Sequence, residues 1–173
     1  MMTSQGITLD KLLQSREQRW RRQQQLILKH PEATLVCLTV IMPGPVKRNT
    51  QSLAVARAAI VAIQQTFADS VLQLTNHDLE TGFEAYMLTS LGPNDAKHKA
   101  CWLEDTHPLG RLFDVDVIDK KGLPISRSTI GKTPRRCLLC DHEARYCMRN
   151  HSHTQEELHQ KIAEMIDNYV RGL

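Results

Sequence analysis

Residues 34–42, TLVCLTVIM, form an unbroken apolar run with β-branched members, and no other stretch restricts the fold as strongly. Such a run reads as a buried strand. The chain leaves it through PGPVKRN, a Pro-Gly loop carrying Lys47 and Arg48. Residues 50–68 follow, with Leu53, Ala56, Ile60, Ile63 and Phe67 at helical spacing. VLQLT at 71–75 and FEAYMLTSL at 83–91 read as two more strands, with Asn76, His77, Asp78 and Gly82 as turn residues between them. DAKHKACWLEDT reads as a helix with Asn94 as its cap. In FDVDVI, Phe113, Val115 and Val117 alternate with Asp114 and Asp116, the pattern of a strand with one apolar face. A turn at DKKG and a short strand near Leu123 to Arg127 come next.

Helices bracket this core. Residues 8–29 carry a cap at Thr8, a broken apolar stripe of Leu9, Leu12, Leu13, Trp20, Leu26 and Ile27, and Pro31 just past the end. The middle of that helix, with Arg16, Arg19, Arg21 and Arg22, is basic: a solvated face or a dock for an acidic partner. Near the C-terminus, Thr154 to Glu157 form a capping box, and Leu158, Ile162, Met165, Ile166 and Tyr169 line one side of the helix it starts. The expected architecture is α+β, a ferredoxin-like split β-α-β-β-α-β core with an N-terminal helix and C-terminal helices. Residues 1–173 are expected to form a single domain. It comprises the N-terminal helix (8–30), the α/β core (34–128), and a Cys/Arg-rich segment with the last helix (133–173).

Side chains two apart on a strand share a face, so Asp114 and Asp116 project together. Neighbouring carboxylates repel unless a positive charge lies between them. A hard divalent cation such as Mg²⁺ meets that need, because it takes oxygen ligands and leaves room for substrate phosphates. Arg111, just upstream, offers a planar fork for a phosphate. The alternative is the solvated face of an edge strand. Lys47 and Arg48 lie where a loop enters a helix, either a second phosphate position or an ordinary turn. Arg135 and Arg136 with Arg145 and Arg149 could hold a nucleotide-like tail or simply form a solvated basic face.

Cys137 and Cys140 are spaced C-x2-C, Cys147 follows seven residues later, and His151 and His153 come close behind. Three thiolates and one imidazole, with His153 as the fourth group, make a tetrahedral zinc site. If the segment is helical, Cys140 and Cys147 lie on one face two turns apart, and the cysteines then suit reduced, metal-free packing as small apolar residues. A redox role lacks the thioredoxin-like βαβ context. The odd count of five cysteines argues against a full disulfide framework.

Composition narrows the remaining classes. A net charge of +3 without a concentrated basic stripe points away from nucleic acid. No apolar run approaches a membrane span, and the first residues show no leader core or myristoylation glycine. The expectation is a cytoplasmic protein.

Taken together, HPLGRLFDVDVI, PRRCLLC, Cys147, His153 and the helix beginning near Glu157 resemble the apo-citrate lyase phosphoribosyl-dephospho-CoA transferase family, also called citrate lyase holo-acyl-carrier-protein synthase. LLQSREQRWRRQ and TLVCLTVIMPGPVK extend the resemblance over nearly the whole chain. The resemblance implies a nucleotidyltransferase-type enzyme. Its donor would be triphosphoribosyl-dephospho-CoA, its acceptor a serine of the citrate lyase acyl-carrier (gamma) subunit, and diphosphate would leave. On this reading Asp114 and Asp116 hold Mg²⁺, and Arg111 neutralises a phosphate. Lys47, Arg48, Arg135 and Arg136 bind the donor, while Glu104 and His107 serve as a third ligand or as proton acceptors for the serine. By analogy, pterin pyrophosphokinases carry a similar Arg-x-x-Asp-x-Asp stretch. Polymerase-β-like nucleotidyltransferases, an alternative core, also bind metal through Asp-x-Asp. Competing functions are a metal-dependent pyrophosphokinase or nucleotidyltransferase acting on a small molecule, and a non-enzymatic, zinc-stabilised adaptor.

Overall fold

The computed structural model describes residues 6–172, and the expectation about a leader or acylation site falls on residues outside that range. The apolar run folds as strand β1 (Thr34–Val40) in the interior of a four-stranded antiparallel sheet. Both of its faces are covered. Val36 and Leu38 join the main core, while Leu35 and Cys37 join a smaller cluster on the opposite side. The other strands are β2 (Val71–Leu79), β3 (Gly82–Thr89) and β4 (Phe113–Ile118), in the order β2-β3-β1-β4. Every neighbouring pair is antiparallel, and Cys37 aligns with Tyr86 on one side and Asp116 on the other.

Helices α2 (Thr50–Phe67), α3 (Pro93–Thr106) and α5 (Gln155–Arg171) cover the face that carries Val36, Leu38, Val115 and Val117. Asn49 caps α2 by accepting the Ser52 N–H at 2.8 Å, and Thr154 caps α5 by accepting the Glu157 N–H at 3.1 Å. Ile162 and Ile166 of α5 are buried in the main core. Helix α1 (Leu9–Lys29) covers the opposite face, and only Leu26 and Ile27 of its apolar residues pack on the cluster there.

A polar network does the rest of that docking. Glu84 on β3, 2% exposed, takes Arg19 at 3.0 Å, Arg22 at 3.3 Å and the Tyr86 hydroxyl at 2.5 Å. Arg21 pairs with Glu17 along the helix at 2.6 Å. Three of the four arginines read as a docking surface are therefore held within the chain. Among the described residues, no helix is long and apolar enough to cross a membrane.

Four local expectations are corrected. Asn76, His77 and Asp78 are ladder residues opposite Ala85, Glu84 and Phe83, so the turn shrinks to Glu80 and Thr81. Strand β2 lies at the sheet edge, where polar side chains meet water and carry no penalty. Gly92 caps α3 and Pro93 takes its first position, which puts Asn94 inside the helix. The short strand near Leu123 reduces to a single bridge between Ile118 and Pro124, because proline has no N–H to continue a ladder. Finally, Cys140 lies outside the short helix α4 (Ala144–Asn150), so it does not share a helix face with Cys147.

Candidate active site

The alternation in β4 does what a period of two dictates. Phe113, Val115 and Val117 are buried in the main core, while Asp114 and Asp116 point together to the α1 side of the sheet. The side chain of Asp114 is 46% exposed, whereas Asp116 lies deeper, in register with the buried Cys37. Burial, and then the charge of Asp114, push the Asp116 carboxyl up to about 6. The pair thus carries the repulsion that a bound cation would relieve, and its oxygen donors suit Mg²⁺. Burial also drives the Cys37 thiol up to about 12, which leaves it an inert neighbour.

Four arginines gather at the start of β4. Arg111, Arg127, Arg135 and Arg136, with Asp105, Thr133 and Pro134, line an open pocket of about 260 Å³. Arg135 bridges the pocket to the carboxylates. Its guanidinium donates to the carbonyls of Phe113 at 2.8 Å, Arg111 at 3.1 Å and Gly110 at 3.2 Å, and it lies 3.9 Å from Asp114. Arg111 donates through Nη2 to the carbonyls of Arg136 and Cys137, the latter at 2.6 Å. Among the described residues its Nε and Nη1 make no hydrogen bond and stay available to a ligand. Arg136 is exposed, 3.9 Å from Asp141.

Glu104 and Arg127 brace this corner. Glu104 is 4% exposed and both its oxygens are engaged. Oε1 accepts the Val115 N–H of β4 at 2.8 Å, and Oε2 accepts Arg127 at 2.6 Å. Arg127 also reaches Asp105 at 3.0 Å, which Lys132 meets at 3.0 Å. Sequence reasoning missed Arg127 and the buried Lys97, whose charge acts on Asp116 from α3. Nothing in their local sequence marks them: the packing of α3 along β4 brings in Lys97, and the segment after β4 brings Arg127 back to the end of α3.

Other candidates lie elsewhere. His107 packs its ring 4.9 Å from Phe113 and 5.5 Å from Tyr169, on the opposite face of the sheet from the aspartates. Its Nδ1 accepts the Leu109 N–H at 3.0 Å, and burial pulls its pKa down. Arg48 is clamped by both oxygens of Asp78 at 2.8 and 2.9 Å. Asp78 belongs to β2, the far edge of the sheet, three strand spacings or about 14 Å from β4. Lys47 lies in the loop at the end of β1 nearest Asp114, and its Nζ donates to the Met42 carbonyl at 2.7 Å. Burial, and then nearby Arg16, lower its pKa.

The cysteine segment folds back on this corner. Sγ of Cys140 lies 3.4 Å from Sγ of Cys147 and 3.4 Å from Nε2 of His153. With Cys137, the four donor atoms all fall within 4.8 Å of one another.

Comparison with known proteins gives the family. A family model described as apo-citrate lyase phosphoribosyl-dephospho-CoA transferase matches residues 7–169. A Streptococcus pyogenes protein named probable apo-citrate lyase phosphoribosyl-dephospho-CoA transferase is 36% identical over 171 residues, spanning 96% of this chain and 89% of its own. A Vibrio cholerae protein of the same name is 39% identical over 168 residues, spanning 95% and 94%. Protein CitXG of Haemophilus influenzae is 35% identical over 170 residues, which cover 94% of this chain but 36% of that longer protein. With the match running through the aspartate strand, the arginine pocket and the cysteine segment alike, the chain belongs to the apo-citrate lyase phosphoribosyl-dephospho-CoA transferase family and is a transferase.

Proposed function

We propose that this protein moves the phosphoribosyl-dephospho-CoA group of triphosphoribosyl-dephospho-CoA onto a serine of the acyl-carrier (gamma) subunit of apo-citrate lyase. The serine oxygen bonds to the innermost phosphorus, the bond from that phosphorus to diphosphate breaks, and the serine proton is released. The observation that carries this reading is the carboxylate pair of β4 set beside an arginine-lined pocket, with Arg135 touching both. Phosphoryl-group transfer asks a protein mainly for positioning and for charge opposite the phosphates.

Asp114 and Asp116 are the residues that would hold Mg²⁺, and the ion would neutralise phosphate charge when bound. The chain's own groups do the remainder. Arg111 and Arg136 face the pocket and bind phosphate oxygens of the donor, Arg111 through the guanidinium nitrogens its backbone bonds leave unused. Arg135 fixes the start of β4, and so the position of Asp114. Glu104 acts as a brace for the same strand, since both its oxygens are already engaged. Lys47, at the same end of the sheet, is a further phosphate contact. We also read the core as a ferredoxin-like split arrangement, supported by the order β2-β3-β1-β4 with all neighbours antiparallel and by α2 and α3 crossing one face.

The test is intact-mass analysis of the apo acyl-carrier subunit after incubation with this protein, Mg²⁺ and triphosphoribosyl-dephospho-CoA. The expected gain is the donor mass less diphosphate, absent with Asp114→Asn. An unmodified carrier with the native enzyme would overturn the assignment.

A further inference from the structure

We propose that Cys137, Cys140, Cys147 and His153 bind one zinc ion in a closed structural site that holds Arg135 and Arg136 at the basic pocket. Three thiolates and one imidazole are a donor set that selects zinc, and four protein ligands leave no open position for chemistry. The spacing of the donor atoms fits an ion at their centre. Metal–sulfur bonds of about 2.3 Å and metal–nitrogen bonds of about 2.0 Å in a tetrahedron place ligand atoms roughly 3.5–3.8 Å apart. The 3.4 Å separations around Cys140 and the 4.8 Å limit for the whole set close on that figure with small adjustments. A disulfide between Cys140 and Cys147 would need the sulfurs at about 2.05 Å, well inside their separation.

The backbone around the first pair supports the same role. The Leu139 N–H points at Cys137 Sγ at 3.5 Å, a contact that disperses thiolate charge. The Cys137 N–H donates to the His142 carbonyl at 2.7 Å, closing a tight knuckle, and the Ala144 N–H donates to the Arg135 carbonyl at 2.8 Å.

Polar bonds and the half-buried Leu138 tie the segment to the core, but it has little apolar packing of its own. Between residues 131 and 153 only Cys137 and Cys147 are buried. Helix α4 has seven residues, too few to persist alone. A metal cross-link supplies what an absent apolar core does not. Its consequence reaches the pocket, because Arg111 anchors on the carbonyls of Arg136 and Cys137, and Arg135 precedes the knuckle by two residues.

The experiment is elemental analysis of the untagged native chain with thiol titration under denaturing conditions. One zinc per chain is expected, retained by Cys37→Ser and Cys101→Ser and lost by Cys140→Ser and His153→Ala. If the ligand variants do not fold, cobalt exchanged into the native chain decides the matter. Tetrahedral d–d bands with thiolate charge transfer are expected. Chelation should expose residues 131–153 to limited proteolysis. Zinc far below one per chain with all cysteines titrating free, or a Cys140–Cys147 disulfide by mass, would overturn the site. None of these readouts uses the donor or the carrier, so the result stands apart from that of the transfer assay.

Discussion

Asp116 and His107 show how differently two titratable side chains can be used by one sheet. The aspartate sits beside Asp114 on the α1 face; the histidine is sealed against Phe113 on the other. Asp114→Asn or Asp116→Asn should lower transfer at least about a hundredfold while the fold survives, read by the carrier mass assay. In the same variants Mg²⁺ should no longer raise the melting temperature, as it should in the native chain, since a ligand stabilises only the state that binds it. His107 governs a separate response. Its imidazole is held neutral by burial while Nδ1 accepts the Leu109 N–H. Its folded pKa lies below the unfolded one, so the unfolded chain takes up the proton first as pH falls. Stability from this group is present above the ordinary imidazole range near 6.5 and declines below it. His107→Asn, which keeps an acceptor but does not titrate, should flatten the fall in melting temperature between about pH 7.5 and 5.5.

At the scale of elements, the strands and long helices were written in the sequence because periodicity records them. β1, β4, α2 and α5 fall where the apolar pattern puts them. The misplaced pieces are those that long-range pairing decides. Asn76 to Asp78 look like a turn until β3 lies beside them, and Leu123 to Arg127 look like a strand until Pro124 stops the ladder. The site divides the same way. The carboxylate pair was legible from alternation, and Arg111, Arg135 and Arg136 from their places beside that strand and the cysteines, but Arg127 was not. The engagement of Glu104 by Val115 and Arg127, and of Arg48 by Asp78, was not, because those partners lie 11, 23 and 30 residues away. Helix α1 carries its own prediction. It leans on buried Glu84 more than on apolar contact. Glu84→Ala should cost about 3 kcal/mol, the low end for breaking a buried pair because both guanidinium groups keep some water. Chemical denaturation measures the loss, and hydrogen exchange should show α1 loosening first.

At the scale of the whole molecule, the start of β4, the end of α3 and the cysteine segment converge at one corner, where the proposed chemistry lies. That choice has a hazard. β4 is an edge strand, and an edge presents free backbone groups to any other strand it meets. Here three of the outward groups are taken: the Phe113 carbonyl by Arg135, the Val115 N–H by Glu104, and the Val117 carbonyl by the Ile125 N–H. The side chains that frame the aspartate strand thus also guard against self-association. Glu104→Ala, which frees the Val115 N–H and leaves Arg127 with Asp105 alone, should leave dilute protein folded but lower the temperature at which light scattering rises. Concentration dependence of that onset would separate it from simple unfolding. The same brace that keeps the aspartate strand in place keeps the sheet from growing by a fifth strand borrowed from another molecule.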